Sequence, residues 1–327
     1  MTAFVTGGSG FVGGAVIRAL VERGDAVRAL ARSTAAAATV THLGAAAVRG
    51  DLADRAALAG SMRGCDVVFQ VAGVNRMCPR DPTELYAANV DGAATAVHAA
   101  ADAGVERVVL TSSSAAIGER RGSVGREDTP HRGSFLSHYE RSKFLGERAA
   151  RAAASARGID LVVVNPSSVQ GPGRTTGSAR ILLHVANART TALFDTSFSI
   201  VDVDDCAAGH LLAASDGVPG ERYLLSSASL TMRAAIDLLR RTTGRPRRVV
   251  WIPRTAVCAA MPLTRVARRD EDAPVCPAML RTLLHGHRYD GSRAERELGL
   301  SYRSPADTLD RVIAWYRTRG ILPEVAA

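Results

Sequence analysis

The residues of this chain best suited to proton chemistry are a tyrosine and a lysine four positions apart, Tyr139 and Lys143. The stretch around them predicts a helix, on which this spacing places both side chains on one face. A phenol with a reference pKa of about 10 is a poor acid or base at neutral pH, and a neighbouring ammonium would lower that pKa. We expect Tyr139 to give or take a proton while a hydride moves.

Composition distinguishes this pair from a tyrosine that happens to lie beside a surface lysine. Lys143 is the only lysine among the 41 Lys and Arg residues. The rest of the chain uses arginine, whose planar guanidinium does not replace the compact ammonium of lysine. The position of this single lysine therefore favours a chemical role, with a surface pair as the alternative.

A third catalytic group is expected from the hydroxyl cluster Ser112, Ser113 and Ser114, which ends a predicted strand over 107–111. A serine there could hydrogen-bond a substrate carbonyl oxygen and stabilise developing negative charge. Hydroxyls at strand ends also form loops, so the pattern alone does not say which serine makes the contact.

A glycine-rich turn predicts a dinucleotide site. It follows a predicted strand over 3–6 and opens a predicted helix over 11–23, and it contains G-x-G-x-x-G from Gly8 as well as G-x-x-G-x-x-G from Gly7. Glycine allows the tight turn, the approach to a pyrophosphate and the close packing of helix on strand, and the helix N-terminus attracts phosphate. The expected cofactor contacts here are Gly7, Gly10, Phe11, Val12 and Gly13.

The end of the second predicted strand, 26–31, indicates the type of cofactor. NAD sites usually carry Asp or Glu there, and NADP sites carry an arginine. This chain has no carboxylate at that point; Arg32 and Ser33 follow the strand. We predict NADP(H), with NAD(H) as the alternative. Arg28 could assist if its side chain leans toward the same strand end. Further contacts are expected at other strand ends, from Asp51, Leu52, Val71, Ala72 and Gly73.

Strands joined by helices predict an α/β fold, with a doubly wound parallel sheet of the Rossmann type and a smaller, mostly helical C-terminal substrate domain. We place the dinucleotide-binding domain at 1–165, with 198–215 returning to it, and the substrate domain at 166–327. Besides the elements already given, we predict strands over 46–49, 66–71, 160–165, 198–203 and 221–226, helices over 83–103, 137–157 and 205–214, and a loop over 167–177.

Composition limits the classes of partner. The formal net charge is +9, but the basic residues are scattered without interleaved aromatics, so we expect no nucleic acid. Five cysteines without C-x-x-C spacing argue against a zinc site and a disulfide framework, and they indicate buried thiols in a reducing cytoplasm. No metal site is expected. No apolar run is long enough for a membrane helix, and the glycine-broken N-terminus is not a signal peptide.

Taken together, these motifs resemble the extended short-chain dehydrogenase/reductase family, also called the NAD-dependent epimerase/dehydratase family, over nearly the whole chain. The resemblance rests on residues 6–13, 50–52, 89–92, 112–113, 139–143, 165–168, 201–205 and 289–300. It implies that Tyr139 is the acid/base, that Lys143 lowers its pKa and holds the nicotinamide ribose, that Ser113 binds the carbonyl, and that Asn89 is a structural and proton-relay residue. It also implies cofactor contacts from Pro166 and Ser168.

Within the family the chain looks like the dihydroflavonol-reductase-like branch and the hopanoid-associated sugar epimerase-like proteins, which tend to use NADP(H). Ile117-Gly118 stands where many sugar epimerases carry Tyr-Gly, which weakens a nucleotide-sugar interpretation. In the family the helices matching 83–103 and 137–157 form a dimer interface, so a homodimer is expected.

The function we predict is an NADP(H)-dependent carbonyl reductase or alcohol dehydrogenase acting on a small or medium ketone. The alternatives are an NAD-dependent nucleotide-sugar epimerase and a dinucleotide-sensing protein without catalysis. The substrate pocket is expected at the carboxyl edge of the sheet, with parts of 174–198 and 254–288. Its expected lining is Val74, Asn75, Ser113, Ser168 and Val169, and four arginines nearby leave an anionic substrate open: Arg174, Arg180, Arg189 and Arg288.

Overall fold

A parallel sheet lies at the centre of the fold, as the sequence predicted, and it has seven strands. The computed structural model describes residues 1–188, 190–244, 248–261 and 276–323. The strands of the central sheet are β1 (Thr2–Thr6), β2 (Ala26–Ala31), β3 (Ala46–Arg49), β4 (Val67–Gln70), β5 (Arg107–Thr111), β6 (Asp160–Pro166) and β10 (Arg222–Leu225). Their order is β3-β2-β1-β4-β5-β6-β10, with every pair parallel. This is the Rossmann order, in which strands of opposite winding meet beside β1.

Helices cover both faces of this sheet. They are α1 (Phe11–Glu22), α2 (Thr34–His42), α3 (Arg55–Met62), α4 (Thr83–Tyr86), α5 (Gly92–Asp102), α6 (His138–Arg157) and α8 (Val203–Ser215). One hydrophobic core joins α1 and α8 to the sheet, and a second joins α3, α5 and α6 to the opposite face. None of the helices in the described parts of the chain is long and apolar enough to cross a membrane.

The two long helices that carry site residues begin and end for local reasons. The Ser137 hydroxyl caps α6 by accepting a hydrogen bond of 3.1 Å from the Glu140 amide, and Gly158 ends the helix in the left-handed region at φ +64°. The predicted helix over 83–103 is confirmed with one change. A π-helical turn, Ala87–Asp91, interrupts it between α4 and α5. Such turns insert one extra residue and are frequent at functional sites.

Two smaller sheets build the second half of the chain. Strands β7 (Ser168–Gln170), β9 (Ser197–Asp202) and β11 (Ala228–Thr231) form one sheet, and β8 (Thr190–Leu193) pairs with β12 (Arg248–Trp251). The helices there are α7 (Ser178–Asn187), α9 (Met232–Thr243), α10 (Arg254–Ala260), α11 (Pro277–His285), α12 (Ser292–Leu298) and α13 (Pro305–Thr318). The prediction of a loop over 167–177 is wrong at β7, because that segment pairs with β9 as a parallel strand. The proposed domain boundaries stay a prediction, although β10 from the second half lies in the central sheet.

The expectation that no disulfide forms is wrong. Cys78 and Cys276 are bonded, with their Cα atoms 6.3 Å apart, and they are 198 positions apart in sequence. The fold brings the loop after β4 against the start of α11, and no spacing rule within the sequence could reveal such a distant pair. Cys65 and Cys206 are buried free thiols as expected, whereas the Cys258 thiol is exposed.

Candidate active site

The glycine turn between β1 and α1 has the shape of a phosphate-binding loop. Gly7 lies in the left-handed region at φ +67°, and a Cβ there would be 2.7 Å from the Ala72 backbone. A Cβ on Gly13 would be 2.2 Å from the Gly7 carbonyl oxygen. The Gly10 amide donates to that same oxygen at 3.0 Å and closes the turn. Only glycine fits here, and the first amides of α1 stay free to bind a pyrophosphate.

The neighbouring strand end is fastened to this turn. The Thr6 hydroxyl donates to Gln70 Oε1 at 2.7 Å and accepts from the Val71 and Ala72 amides at 3.1 and 3.0 Å. These three hydrogen bonds hold the carboxyl end of β4 beside that of β1, where the cofactor of a Rossmann domain crosses the sheet. The cofactor contacts predicted at Val71, Ala72 and Gly73 therefore lie next to the glycine turn.

The predicted catalytic residues meet where β5 ends against α6. The Ser113 hydroxyl, just beyond β5, lies close enough to the Tyr139 hydroxyl to favour its phenolate. The Lys143 ammonium donates to the Thr111 carbonyl oxygen at 2.9 Å. It also lies close to Gly73, since a Cβ on that glycine would be 3.6 Å from Nζ. The structure thus brings the exits of β4 and β5 together with one face of α6, and of the three candidate serines Ser113 is the one that lowers the pKa of Tyr139.

The pKa values of this pair differ from the sequence-based expectation. Burial raises the pKa of Tyr139, although the Ser113 hydroxyl and the charge of Arg174 oppose that rise. Burial also lowers the pKa of Lys143 to about 8, against the opposing charge of Glu147. The expected lowering of the tyrosine pKa by Lys143 is therefore not seen in the free protein. The favourable charge comes instead from Arg174, and desolvation outweighs it.

Asn89 fixes the loop that follows β4. Its side-chain amide donates to the Val74 carbonyl and to Ser142 Oγ, both at 2.9 Å, and its Oδ1 accepts from the Val74 amide at 2.8 Å. Asn89 lies within the π-helical turn, and its own carbonyl oxygen would be 1.9 Å from a Cβ on Gly146 of α6. The extra residue of the turn lets Asn89 join the β4 loop to the helix that carries Tyr139.

Two interactions near the catalytic residues were not foreseen. Asn165, fully buried at the end of β6, donates from Nδ2 to the Ser113 carbonyl oxygen and to Glu147 Oε2, both at 3.0 Å. The guanidinium of Arg174 lies over the Phe11 ring, 5.4 Å from its centroid, and donates to the Val169 carbonyl at 2.7 Å. The sequence did offer a signal for the Asn165 interaction, because Glu147 lies one helical turn after Lys143. No sequence pattern indicated the Arg174 interaction.

Arg32 is exposed at the carboxyl end of β2, where the sequence analysis placed it. The adjacent Ser33 hydroxyl caps α2 by accepting from the Ala36 amide at 3.1 Å. Arg28 does not lean toward this strand end, so that suggestion is wrong. Its guanidinium donates to the Arg63 carbonyl at 2.9 Å instead.

The remaining predicted cofactor contacts lie at the ends of other strands and make local contacts there. Asp51 is exposed and accepts from the Ala53 amide at 2.9 Å. Leu52 is buried and packs against Gly92. Pro166 is buried at the end of β6, and Ser168 Oγ accepts from Gln170 at 2.9 Å.

The predicted substrate lining is only partly brought together. Val74 lies beside Asn89 and Asn75 is exposed, but the Val169 side chain is buried in the hydrophobic core and offers only its carbonyl, which binds Arg174. Of the suggested arginines, Arg180 is exposed on α7, and Arg288 donates to the Gly122 carbonyl. Arg189 and the pocket segment 262–275 lie outside the described residues.

Comparison with known proteins agrees with this geometry. The sequence profile of the NAD dependent epimerase/dehydratase family matches residues 3–226. The chain belongs to this family. Its members use a nicotinamide dinucleotide, and the glycine turn with the open start of α1 fits such a cofactor.

Named relatives place the chain in the dihydroflavonol-reductase-like branch of the family. A Synechocystis protein provisionally named dihydroflavonol 4-reductase is 34% identical, over 97% of this chain and 95% of its own. A Stigmatella aurantiaca protein named 4-hydroxy-2-methyl-3-oxo-4-farnesyl-3,4-dihydroquinoline-1-oxide ketoreductase is 32% identical, over 93% of this chain and 92% of its own. The crystal structure of gox2253 superposes with a TM-score of 0.85 at 30% identity, over 98% of this chain and 99% of that one.

Proposed function

We propose that this protein is an NADP(H)-dependent carbonyl reductase or alcohol dehydrogenase acting on a small or medium ketone. The observation that carries the proposal is the meeting of Ser113, Tyr139 and Lys143 beside the glycine turn. A bound nicotinamide would supply or accept the hydride. The names of the two relatives support reduction of a carbonyl, and the extended substrate of the second supports an apolar ligand.

The protein residues would divide the proton chemistry among them. Ser113 would hydrogen-bond the carbonyl oxygen, and Tyr139 would donate its phenolic proton to that oxygen as negative charge develops. The raised pKa keeps the phenol protonated at neutral pH, which suits the direction of reduction. Lys143 would hold the ribose and supply positive charge behind the tyrosine.

Replacing Tyr139 with phenylalanine tests this assignment. We expect turnover to fall by at least ~100-fold because the proton donor is lost, while the dissociation constant for NADPH stays within about twofold, a change of less than ~0.5 kcal/mol. Tyr86→Phe is the matched control, since its hydroxyl contacts His138 and lies outside the catalytic set. Near wild-type turnover in Tyr139→Phe would refute the mechanism.

We also propose a preference for NADPH over NADH, supported by Arg32 and by the missing carboxylate after β2. A guanidinium can make a charge-assisted bidentate contact with the 2′-phosphate. NADPH should bind at least ~10-fold more tightly, about 1.4 kcal/mol, and Arg32→Asp should reverse the order. Arg296→Asp, on the exposed face of α12, is the control. Equal dissociation constants in the wild type would contradict the preference.

The same family description covers epimerases, so a nucleotide-sugar epimerase is the alternative. It would keep NAD tightly bound and return the hydride to the same molecule. Mass spectrometry of whatever co-purifies with the protein separates the two. A retained UDP- or dTDP-sugar would overturn the reductase proposal, whereas NADP alone would support it.

We further propose a homodimer formed through α5 and α6. Much of their alanine surface already packs within one chain, because Ala93, Ala96, Ala99, Ala150 and Ala153 are buried in the core. Only the outward faces of the helices are left for a partner. Light scattering at micromolar concentration should give twice the chain mass, and a monomer mass would contradict the proposal.

A further inference from the structure

A buried carboxylate and two imidazoles meet on the C-terminal side of the catalytic residues. Glu119 follows the short turn after Ser113 and is fully buried. His285 ends α11, and His287 lies two residues farther on, with 7% and 17% of their side chains exposed. Nothing in the proposed reductase chemistry uses this cluster.

One distance within the cluster suits a shared cation, and the other is a direct hydrogen bond that the ion would replace. Glu119 Oε1 is 2.6 Å from His287 Nδ1 and 3.6 Å from His285 Nε2, and the three candidate ligand atoms lie within 4.8 Å of one another. The longer distance is too great for a hydrogen bond. It is close to the ~3.4 Å that separates two ligand atoms of a tetrahedral ion with bonds of about 2.0–2.1 Å.

Two polar atoms of the cluster also lack a protein partner. Glu119 Oε2 and His285 Nε2 are buried and have no hydrogen bond to any residue in the described ranges. A buried polar atom left unpaired costs about 1–3 kcal/mol. Both atoms belong to side chains of this one cluster, so an ion bound to His285 Nε2 and to the Glu119 carboxylate would give the imidazole a partner and reduce the charge left on Oε2.

The backbone holds the two histidines in place. Gly286 turns the chain at φ +72° between them. The His287 amide then donates to the Ser197 carbonyl at 2.8 Å, and Gly125 pairs with the same segment through the Arg288 carbonyl at 2.8 Å and the Asp290 amide at 3.0 Å. Because backbone hydrogen bonds hold this segment on both sides, its two imidazoles need little further ordering when an ion binds, which favours binding.

The charges around the cluster are compatible with a cation. The nearest guanidinium, Arg132, donates to the Glu119 carbonyl at 3.2 Å and is neutralised by an ion pair with Glu140.

We propose that Glu119, His285 and His287 form a site for one divalent transition-metal ion, with Zn²⁺ as the best match. Two imidazole nitrogens and one carboxylate oxygen are a known zinc ligand set, with water or a further side chain completing the tetrahedron. The Tyr289 hydroxyl lies 3.1 Å from His287 Nδ1. The ion would join the loop after Ser113 to the C-terminal segment. The spacing of the cysteines, on which we based the expectation of no metal site, contains no information about these ligands.

Metal titration of the full-length, untagged protein tests the proposal. After treatment with a chelator, the protein should bind one Zn²⁺ per chain by calorimetry, with a raised melting temperature. Co²⁺ in its place should give the visible absorption of a four-coordinate ion with nitrogen and oxygen ligands. The competing explanation, a metal-free ion pair between Glu119 and protonated His287, predicts neither signal. Absence of stoichiometric binding would overturn the proposal.

Single substitutions assign the ligands. Glu119→Gln and His285→Gln should each weaken Zn²⁺ binding by at least ~100-fold, since even groups that only orient a ligand are worth about 10–100-fold. His42→Gln is the control, because this histidine is exposed at the end of α2. Wild-type affinity in both ligand variants would refute the assignment. Should a variant fail to fold, the cobalt spectrum of the wild type decides.

Discussion

Replacing Lys143 with methionine should make the free protein more stable at neutral pH while it removes activity. The ammonium is partly buried, and desolvation lowers its pKa from 10.5 to about 8. Each pH unit between the folded and unfolded pKa values corresponds to about 1.4 kcal/mol. Keeping this charge in the folded state therefore costs up to about 3 kcal/mol at pH 7. Methionine has a similar length and no charge.

The gain is reduced by the hydrogen bond that the lysine makes. Nζ donates to the Thr111 carbonyl oxygen at 2.9 Å, and losing such a bond costs about 1–2 kcal/mol. We expect Lys143→Met to be more stable than the wild type by about 1–2 kcal/mol at pH 7. Turnover should fall with the loss of the charge that supports Tyr139.

The pH dependence gives the sharper test, because it isolates the titration of this one group. Above about pH 8 the folded wild type releases the Lys143 proton, whereas the unfolded chain keeps it until about pH 10.5. Between these values the unfolded state binds more protons, so wild-type stability rises with pH. Relative to Lys143→Met, the wild type should gain about 1–2 kcal/mol between pH 7 and pH 9.5.

Urea unfolding of both proteins at the two pH values measures this difference, since the other titrating groups are common to both. The stability advantage of the variant should shrink or reverse at pH 9.5. An advantage that does not change with pH, or a variant less stable than the wild type at pH 7, would refute the claim that Lys143 is held charged at a cost.

Three further predictions concern the residues that shape the site. Asn89→Ala should lower the free energy of unfolding by about 3 kcal/mol in urea, because three hydrogen bonds of about 1 kcal/mol each are lost; a loss below ~1 kcal/mol would contradict it. Gly13→Ala should weaken NADPH binding by at least ~10-fold in a fluorescence titration, because its Cβ would meet the Gly7 carbonyl at 2.2 Å, whereas Gly60→Ala, with open space around it, should bind normally. Arg174→Met should move the alkaline limb of the kcat profile to higher pH, because the charge that opposes the raised pKa of Tyr139 is removed; an unmoved limb would count against that contact.

The first half of the fold could be predicted because each strand there is a short apolar run that ends at a glycine or polar turn. Strands β2, β3 and β5 have the predicted bounds. In the second half, strands such as β8 and β12 are four residues long and lie next to each other only through a long-range pairing. Apolar and polar residues do not alternate in them regularly enough to distinguish a strand from a loop, so tertiary contacts decide their structure.

The identity of the catalytic residues could be read from local spacing, whereas their electrostatics could not. Tyr139 and Lys143 share one helix face whatever the rest of the chain does. Their pKa values depend instead on how deeply the fold buries them and on Arg174, which comes from the segment after β7. The same limit applies to the disulfide, whose cysteines are 198 positions apart, and to the proposed metal site, where Glu119 lies 168 positions before His287. A motif therefore specifies which groups can react, and the contacts between the two halves of the chain set the protonation state in which they do so.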